Sequence, residues 1–385
     1  MDPFLDQDHK LLRDRIRSWS QKYLAARGEE SDVDAAARCL IKNLGEEGFT
    51  AYVGPKKFGG AREQVQARDL CLIREELAWG SALADAMFAV QALGSYPIVL
   101  AGSEAQKARY LPALAGGEAI AAFALTEPEA GSDVSSLQTR AVNIDGGYRL
   151  TGAKHFISNA GIAHTYVVFA STDLDKKGKG ISAFVVEAGT PGLRVKERTR
   201  LLSPHPIGAL EFEECPVPAS QRLGEEGEGL KIALTTLDML RCTVGAAAVG
   251  FARRALDEAV AYSRSRRQFG RSLAGFQATQ LKLADMATEL EASRLLVYQA
   301  AWANDHGAAD LPLKSSMAKL FATEAAQRIV DQALQIHGGI GVVSGHPVER
   351  LYRDVRALRI YEGTSEIQKL IIAKSILKKE RSDEL

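Results

Sequence analysis

The stretch 116–133, GGEAIAAFALTEPEAGSD, is where the chain changes period. Gly116-Gly117 breaks a helical pattern, residues 120–126 read as an apolar strand, and Pro128, Ala130, Gly131 and Ser132 make a turn. Upstream, Leu5, Leu12, Ile16, Trp19 and Tyr23 recur on one helical face. Ser31 with Asp34 three residues later predicts an N-cap, and Leu40, Ile41 and Leu44 follow until Gly45 ends the run. A further helix is expected over 65–79, and the small apolar residues of 82–101 suit a buried helix or a ligand wall. Downstream, residues 148–151, 166–170, 181–186 and 210–212 are β-branched and aromatic runs separated by Gly, Asp and Pro, which predicts short antiparallel strands in a barrel or sandwich. Helical periodicity returns over 230–262, 277–306, 312–337 and 365–377, with Asp285, Glu289, Arg294, Glu324 and Arg328 on solvent or partner faces. The order helices, strands, helices predicts an α+β multidomain chain: a helical domain 1–118, a β domain 119–225 and a helical domain 226–385. It is not an alternating βαβ array, and no GxGxxG follows a strand, so a doubly wound dinucleotide fold is not expected.

The bulk numbers narrow the function classes. A chain of 385 residues has room for two to three domains. Lys+Arg 48 against Asp+Glu 48 cancels, which argues against nucleic acid or an anionic membrane as the main partner. Apolar residues are 46%, yet no apolar run reaches membrane-spanning length, so no membrane partner is expected. Cys39, Cys71, Cys215 and Cys242 are far apart and form no CxxC, so neither a disulfide framework nor a metal site is expected and a cytoplasmic, reducing compartment fits. The start MDPFLDQDHK carries no apolar signal region, and Ser382-Asp383-Glu384-Leu385 reads as a solvated end.

Five stations can carry chemistry, each with a plainer reading beside it. In 123–133, FALTEPEAGSD, backbone N–H groups and hydroxyls at a strand end can bond the edge of a planar heterocycle; otherwise it is a strand-ending loop. In 154–159, KHFISN, Phe156 and Ser158 share a strand face, so a ring can stack on a flavin and a hydroxyl can bond a ring nitrogen; otherwise they are a core Phe and a surface Ser. In 264–271, RSRRQFGR, clustered guanidinium groups suit a pyrophosphate, or simply complement a helix end. In 335–341, QIHGGIG, the glycines admit a ligand and also cap a helix; His337 alone reads as a satisfied helix-end residue. In LDMLR, Asp238 and Arg241 share a helix face and form either a local ion pair or a contact to a ligand tail. Beyond these, Glu362 stands beside Gly363, Thr364 and Ser365 just ahead of a helix, which mounts a single carboxyl on a turn that a substrate can approach.

Taken together, LTEPEAGSD, KHFISNAG, RRQFG, QIHGGIG and YEGTSEIQ resemble the acyl-CoA dehydrogenase family over residues 5–378. The resemblance implies an N-terminal helical domain, a middle antiparallel β-barrel or sandwich, a C-terminal four-helix bundle, and a homotetramer built as a dimer of dimers with one FAD per subunit. It places Glu362 as the base that removes the α-proton of an acyl-CoA while hydride leaves the β-carbon for flavin N5. The thioester carbonyl is then held by the backbone N–H of the base residue and a ribityl hydroxyl of FAD. It assigns Phe123, Leu125, Thr126 and Ser132 to the flavin edge, Ser132 also to the CoA moiety, and Phe156 and Ser158 to the flavin-stacking strand, where many relatives carry Trp and Thr. Arg266, Phe269, Gln277, Gln335 and Gly339 are assigned to the FAD of the neighbouring subunit, and Thr364 and Glu366 to FAD from the base loop. Relatives often have Gln at the position of Glu366. Asp238, Arg241 and Gly363 are assigned to the substrate. Some relatives carry the base just before that arginine, where this chain has Leu240, so Glu362 is the candidate at either site.

The product implied is a trans-2-enoyl-CoA, with electrons passed to an electron-transfer flavoprotein. An acyl-CoA oxidase, an enoyl-CoA reductase and a flavin-bearing binding protein are the alternatives. Residues 75–106 contain no Lys or Arg, which disfavours a dicarboxylyl-CoA, and Ala82, Ala84, Ala86 and Ala89 leave room for a short-to-medium acyl chain, a branch or a ring.

Overall fold

The computed structural model describes residues 3–24, 28 and 30–380; the C-terminal tetrapeptide lies outside them. Helix α1 (Gln7–Tyr23) begins where the Asp6 carboxylate accepts from the His9 N–H. Helix α2 (Val33–Glu46) is capped by Asp32 rather than Ser31: the Asp32 carboxylate accepts from Ala35 N at 3.0 Å, and its charge complements the helix dipole where a serine hydroxyl cannot. Gly45 does not stop this helix. A Cβ there would sit 2.0 Å from the Gly116 carbonyl oxygen, so the glycine serves close backbone approach. Then come α3 (Ala67–Gly80), α4 (Ala82–Ala101) and α5 (Glu104–Ala115), the last opened by a Ser103–Gln106 capping box that the periodicity reading did not use.

The strands follow: β1 (Ala121–Ala124), β2 (Arg140–Ile144), β3 (Gly147–Ser158), β4 (Thr165–Ser171), β5 (Ile181–Glu187), β6 (Leu193–Arg198), β7 (Ile207–Pro218) and β8 (Arg222–Leu223). They form one mixed sheet in the order β6-β7-β3-β2-β4-β5-β8, with β1 on β4. This corrects the purely antiparallel expectation: β1 runs parallel to β4, and β2 meets β4 in parallel at Arg140 and Ser171. The pieces expected at 148–151 and 154–159 belong to the single strand β3. Register shifts at Leu150/Gly152 and Lys154/Ile157 interrupt its alternation, which hides its continuity in the sequence. Strands β2 and β6 face solvent along most of their length and so lack an apolar signature.

The chain continues through α6 (Gly229–Ser265), the hairpin β9 (Arg267–Gln268) and β10 (Arg271–Ser272), α7 (Gln277–Asp305), α8 (Leu311–His337), α9 (Pro347–Arg356) and α10 (Ser365–Glu380). Helices α4 and α6 are long and apolar enough, by length and composition, to cross a membrane, contrary to the run-by-run reading; a windowed average tolerates the lone Asp85 that breaks the run. Their apolar windows are 67% and 78% buried within the fold.

Two compact units result: Met1–Glu29 with Gln66–Asp85 and Asp238–Leu385, and Glu30–Val65 with Ala86–Leu237. The second has a core of Ile98, Leu111 and Leu114 against Val167, Phe169, Val185 and Leu223. In the first, the buried Glu75 carboxylate accepts from Arg294 Nη2 at 2.9 Å and Tyr298 Oη at 2.8 Å, tying α3 to α7. Arg294, expected on an outer face, is therefore largely committed inward.

Candidate active site

The candidate residues fall in both units, and each set has its own local logic. In the helical unit, Glu362 lies between α9 and α10 with φ +53, a left-handed conformation a glutamate adopts only under constraint. Gly363 follows with φ +92. The constraint is visible. The Gly363 carbonyl accepts from Lys319 Nζ at 2.9 Å and from Gln368 Nε2 at 2.9 Å, and Thr364 Oγ1 accepts from Ile367 N, capping α10. Ser365 Oγ donates to Glu324 at 2.6 Å, and Arg359 holds the same carboxylate. The turn is thus fastened from both sides, yet Glu362 Oε2 is buried with no hydrogen-bond partner. Burial pushes the Glu362 carboxyl above the usual carboxylate range, against the opposing pull of Arg74, Lys319 and Arg241. A carboxylate so desolvated and unpaired is poised to take a proton.

Around it, burial lowers the Lys319 ammonium to about 8. Arg241 pairs with Asp238 one turn back, so the local ion pair is real, while Arg241 Nε is left buried without a partner. Arg74 is joined to Asp85 by two hydrogen bonds of 2.8 and 2.9 Å. Tyr361 exposes 38% of its surface, and burial of its hydroxyl end raises the phenol above its ordinary value.

Lys319, Gln368, Arg74 and Asp85 were not singled out from sequence. Lys319 had a signal: it shares a helix face with the buried Ser315, Ser316, Ala322 and Thr323. Arg74 immediately precedes the 75–106 stretch that lacks Lys and Arg.

The other residues of this unit are outward. Arg266, Gln277, Gln335 and Gly339 are exposed, as is Glu366. Phe269, at the tip of the β9–β10 hairpin with φ +49, is 92% exposed. A Cβ on Gly338 or Gly339 would meet nothing within 4 Å, so the backbone there is open to a close approach. His337 stacks on Tyr262 with ring centroids 4.3 Å apart and bonds the Ala333 carbonyl, which accounts for it structurally.

In the sheet-bearing unit, the loop after β1 is docked onto β3. Lys154 Nζ donates to the Leu125 carbonyl at 3.0 Å and to Glu127 Oε1 at 2.8 Å, and His155 N donates to the Thr126 carbonyl at 2.9 Å. Glu127 also accepts from Gln138 N and Thr139 N; burial alone would raise it, but these bonds and Lys154 hold its carboxyl below the usual range. Thr126 is thereby brought to the strand segment carrying Phe156 and Ser158. Phe156 has φ +54, stacks on His155 at 4.1 Å and is 52% exposed. Ser158 Oγ lies 3.0 Å from His205 Nε2, a residue the sequence did not flag. Phe123 is turned inward, its ring on Phe169, and Leu125 is buried, so their backbones rather than side chains are available to a ligand. Ser132 is exposed beside Gly131, whose Cβ position is open. A half-exposed aromatic held in a strained backbone, beside a fixed hydroxyl, fits the face of an isoalloxazine ring.

Comparison with known proteins finds similarity along most of the chain. Family models match in three segments: acyl-CoA dehydrogenase N-terminal domain over residues 6–118, middle domain over 122–215 and C-terminal domain over 227–377. The chain is 41% identical over 379 residues to the probable acyl-CoA dehydrogenase FadE25 of Mycobacterium tuberculosis, covering 97% of this chain and 96% of the relative. It is 40% identical to the 3-(aryl)acrylate reductase of Clostridium sporogenes, covering 97% and 100%. Among solved structures, butyryl-CoA dehydrogenase from Megasphaera elsdenii superposes with a TM-score of 0.91 at 37% identity, covering 98% of this chain and all of that one. A chain solved in work on the electron transferring flavoprotein of Acidaminococcus fermentans gives 0.92 at 39% identity, with the same coverage.

Proposed function

The chain belongs to the acyl-CoA dehydrogenase family, an FAD-dependent oxidoreductase acting on CH–CH groups, and from that premise we propose that it converts an acyl-CoA to the trans-2-enoyl-CoA with Glu362 as the base. The observation that carries this reading is the buried, unpartnered Glu362 Oε2 on a strained and doubly anchored turn. The α-hydrogen of a thioester is weakly acidic, so the base must be strong and fixed. Desolvation supplies the strength, and the bonds from Lys319 and Gln368 to the Gly363 carbonyl supply the position. Glu362 takes the α-proton onto its free oxygen as the β-hydrogen departs with its electron pair. FAD, when bound, accepts that pair. The Glu362 N–H is the donor for the thioester oxygen in this reading, and the unpaired Nε–H of Arg241 suits a polar atom of the bound thioester tail.

In this reading Thr126, Ser132, Phe156 and Ser158 are assigned to FAD, Ser132 also to CoA, and Thr364 and Glu366 are assigned to FAD. Exposure of Arg266, Phe269, Gln277, Gln335 and Gly339 suits contact with a neighbouring subunit's cofactor, and we take the assembly as a homotetramer. Three sequence domains, 1–118, 119–225 and 226–385, go with this reading. So do a cytoplasmic location, in keeping with four free cysteines, and an electron-transfer flavoprotein as acceptor.

The second reading, reduction of an enoyl thioester, is favoured by the identity to an arylacrylate reductase; the same base would then return the proton. Anaerobic mixing with a panel of acyl-CoA thioesters and an artificial electron acceptor tests the first: bleaching of the flavin and formation of the enoyl product are expected, and no bleaching with any member of the panel would remove it.

A further inference from the structure

We propose that the helical unit carries a second ligand site, an arginine-lined cleft that takes the phosphate group of a small phosphate monoester. The cleft uses none of the residues assigned to substrate or flavin, so the proposal stands whether or not Glu362 is the base.

The cleft has a volume of about 340 Å³ and is lined from α1, α3, α6 and α7. Arg13 and Arg17 stand one turn apart on α1 and so share a face, with Gln21 a further turn along. Arg253 comes from α6 and Arg294 from α7. Two acids line the cleft, Glu75 and Asp257. Glu75 is taken up by Arg294 and Tyr298, as described above, and its neighbour Glu76 accepts from Arg17 Nη2 at 2.8 Å and from Arg253 Nη1 at 2.7 Å. Asp257 accepts from Trp79 Nε1 at 2.8 Å, and the Arg254 guanidinium lies 4.7 Å from the centre of the Trp79 ring. These acids are engaged within the fold. Arg13 is not: its Nε is buried without a hydrogen-bond partner, with Asp14 standing 3.7 Å away.

Fastening the helices to one another accounts for Arg17, Arg253 and Arg294. It does not account for Arg13. A buried N–H left unanswered is unfavourable, and an acceptor entering the cleft removes that penalty. Charge says which kind of acceptor. Four guanidinium groups line the cleft against two carboxylates, and with Glu76 counted the balance is four against three, one positive charge over. Asp14 and Glu291 flank the arginines but are 67% and 61% exposed, where water and salt screen them. An anion is therefore favoured over a neutral or cationic ligand. Shape then chooses among anions. The guanidinium groups arrive from three helices; a flat carboxylate engages one fork, whereas a phosphate presents acceptor oxygens on several sides. The volume of about 340 Å³ falls at the lower end of small-molecule sites, about 300–1,000 Å³. It leaves room for an organic group beyond the phosphate, with Leu5 and Trp79 to pack on it.

Calorimetric titration of the FAD-loaded enzyme, in phosphate-free buffer of low ionic strength, compares ribose 5-phosphate, ribose, inorganic phosphate and succinate. Ribose 5-phosphate should bind, ribose should not, and inorganic phosphate and succinate should both bind more weakly than the ester. Arg13→Met removes the unpartnered donor and should weaken ribose 5-phosphate about 10- to 100-fold, the yield of one charge-assisted hydrogen bond. Lys42→Met removes the same charge from an exposed position on α2 and should leave the affinity unchanged. Gln21→Glu sets a negative charge on the exposed rim and should also weaken binding, which keeps a reading in hand if Arg13→Met does not fold. Four results overturn the proposal: no binding of ribose 5-phosphate, succinate or inorganic phosphate binding as tightly as the ester, an affinity that Arg13→Met leaves unchanged, or one that Gln21→Glu leaves unchanged.

Discussion

Glu362→Gln separates what the site needs from what the fold needs. The substitution keeps shape and removes the ionisable oxygen that lies buried without a partner. For catalysis, losing a positioned general base costs about 10²–10⁴-fold in rate. For stability the sign is opposite. The folded pKa of Glu362 is raised above the unfolded value of about 4.3, so its folded form is cheapest when protonated. Below the unfolded pKa the carboxyl costs nothing. As pH climbs through the folded pKa, the unfolded chain has already ionised and stability is lost. An uncompensated buried polar oxygen costs about 1–3 kcal/mol. Spread over the unfolding entropy of 385 residues, that is a rise of about 1–4 °C in the midpoint of the glutamine variant at pH 8. The gap should close toward pH 5. Stopped-flow bleaching and thermal melts across that range read both effects on one preparation. A variant that is less stable than the parent by the same amount at pH 5 and pH 8 would refute the reasoning, because it would mean the carboxylate is held by bonds rather than stranded.

Removing a cation beside the base should move its titration. Lys319→Met takes away one charge that lowers the Glu362 pKa, so the acidic limb of the pH–rate profile should shift to higher pH; a shift downward would contradict the placement of Lys319. Gly363→Ala forces a Cβ into a left-handed backbone and to 2.5 Å from Gln368 Nε2, which should displace an anchor of the turn and cost about 10–100-fold in rate with FAD retained. Arg266→Ala should lower FAD occupancy after gel filtration, and unchanged occupancy would count against a pyrophosphate role. Glu127→Gln strands the buried Lys154 ammonium under the strand-end loop, and should destabilise by about 3–5 kcal/mol, measured by denaturant melts, with weakened FAD retention.

Much of the architecture was legible because period is a local property. Helices α4, α6, α7 and α8 carry uninterrupted patterns, and their expected bounds differ from the observed ones by three residues at most. Strand β3 was read as fragments because its bulges reset the alternation, and β2 and β6 were missed because solvent-facing strands need no apolar residues. The cap of α2 was misread by one residue, since Ser31 and Asp32 are both good caps and only geometry chooses between them. Glu362 could be proposed from its turn and its motif. Its supports could not: Lys319 lies 43 positions upstream of it, and Arg74 and Asp85 nearly 300, and no local pattern says that a charge on one helix will face a carboxylate delivered by another. The polar character of the site is therefore a tertiary fact, and the sequence reading of a wall without Lys or Arg over 75–106 stopped one residue short of Arg74.

Proton removal can be isolated from every later step by offering a 3-thia-acyl-CoA, whose third position has no hydrogen to lose. In deuterium oxide, with the parent enzyme, the hydrogens on its second carbon should exchange with solvent, followed by proton NMR, and the Glu362→Gln enzyme should leave them in place. Exchange at equal rates in the two enzymes would mean that another group takes the α-proton.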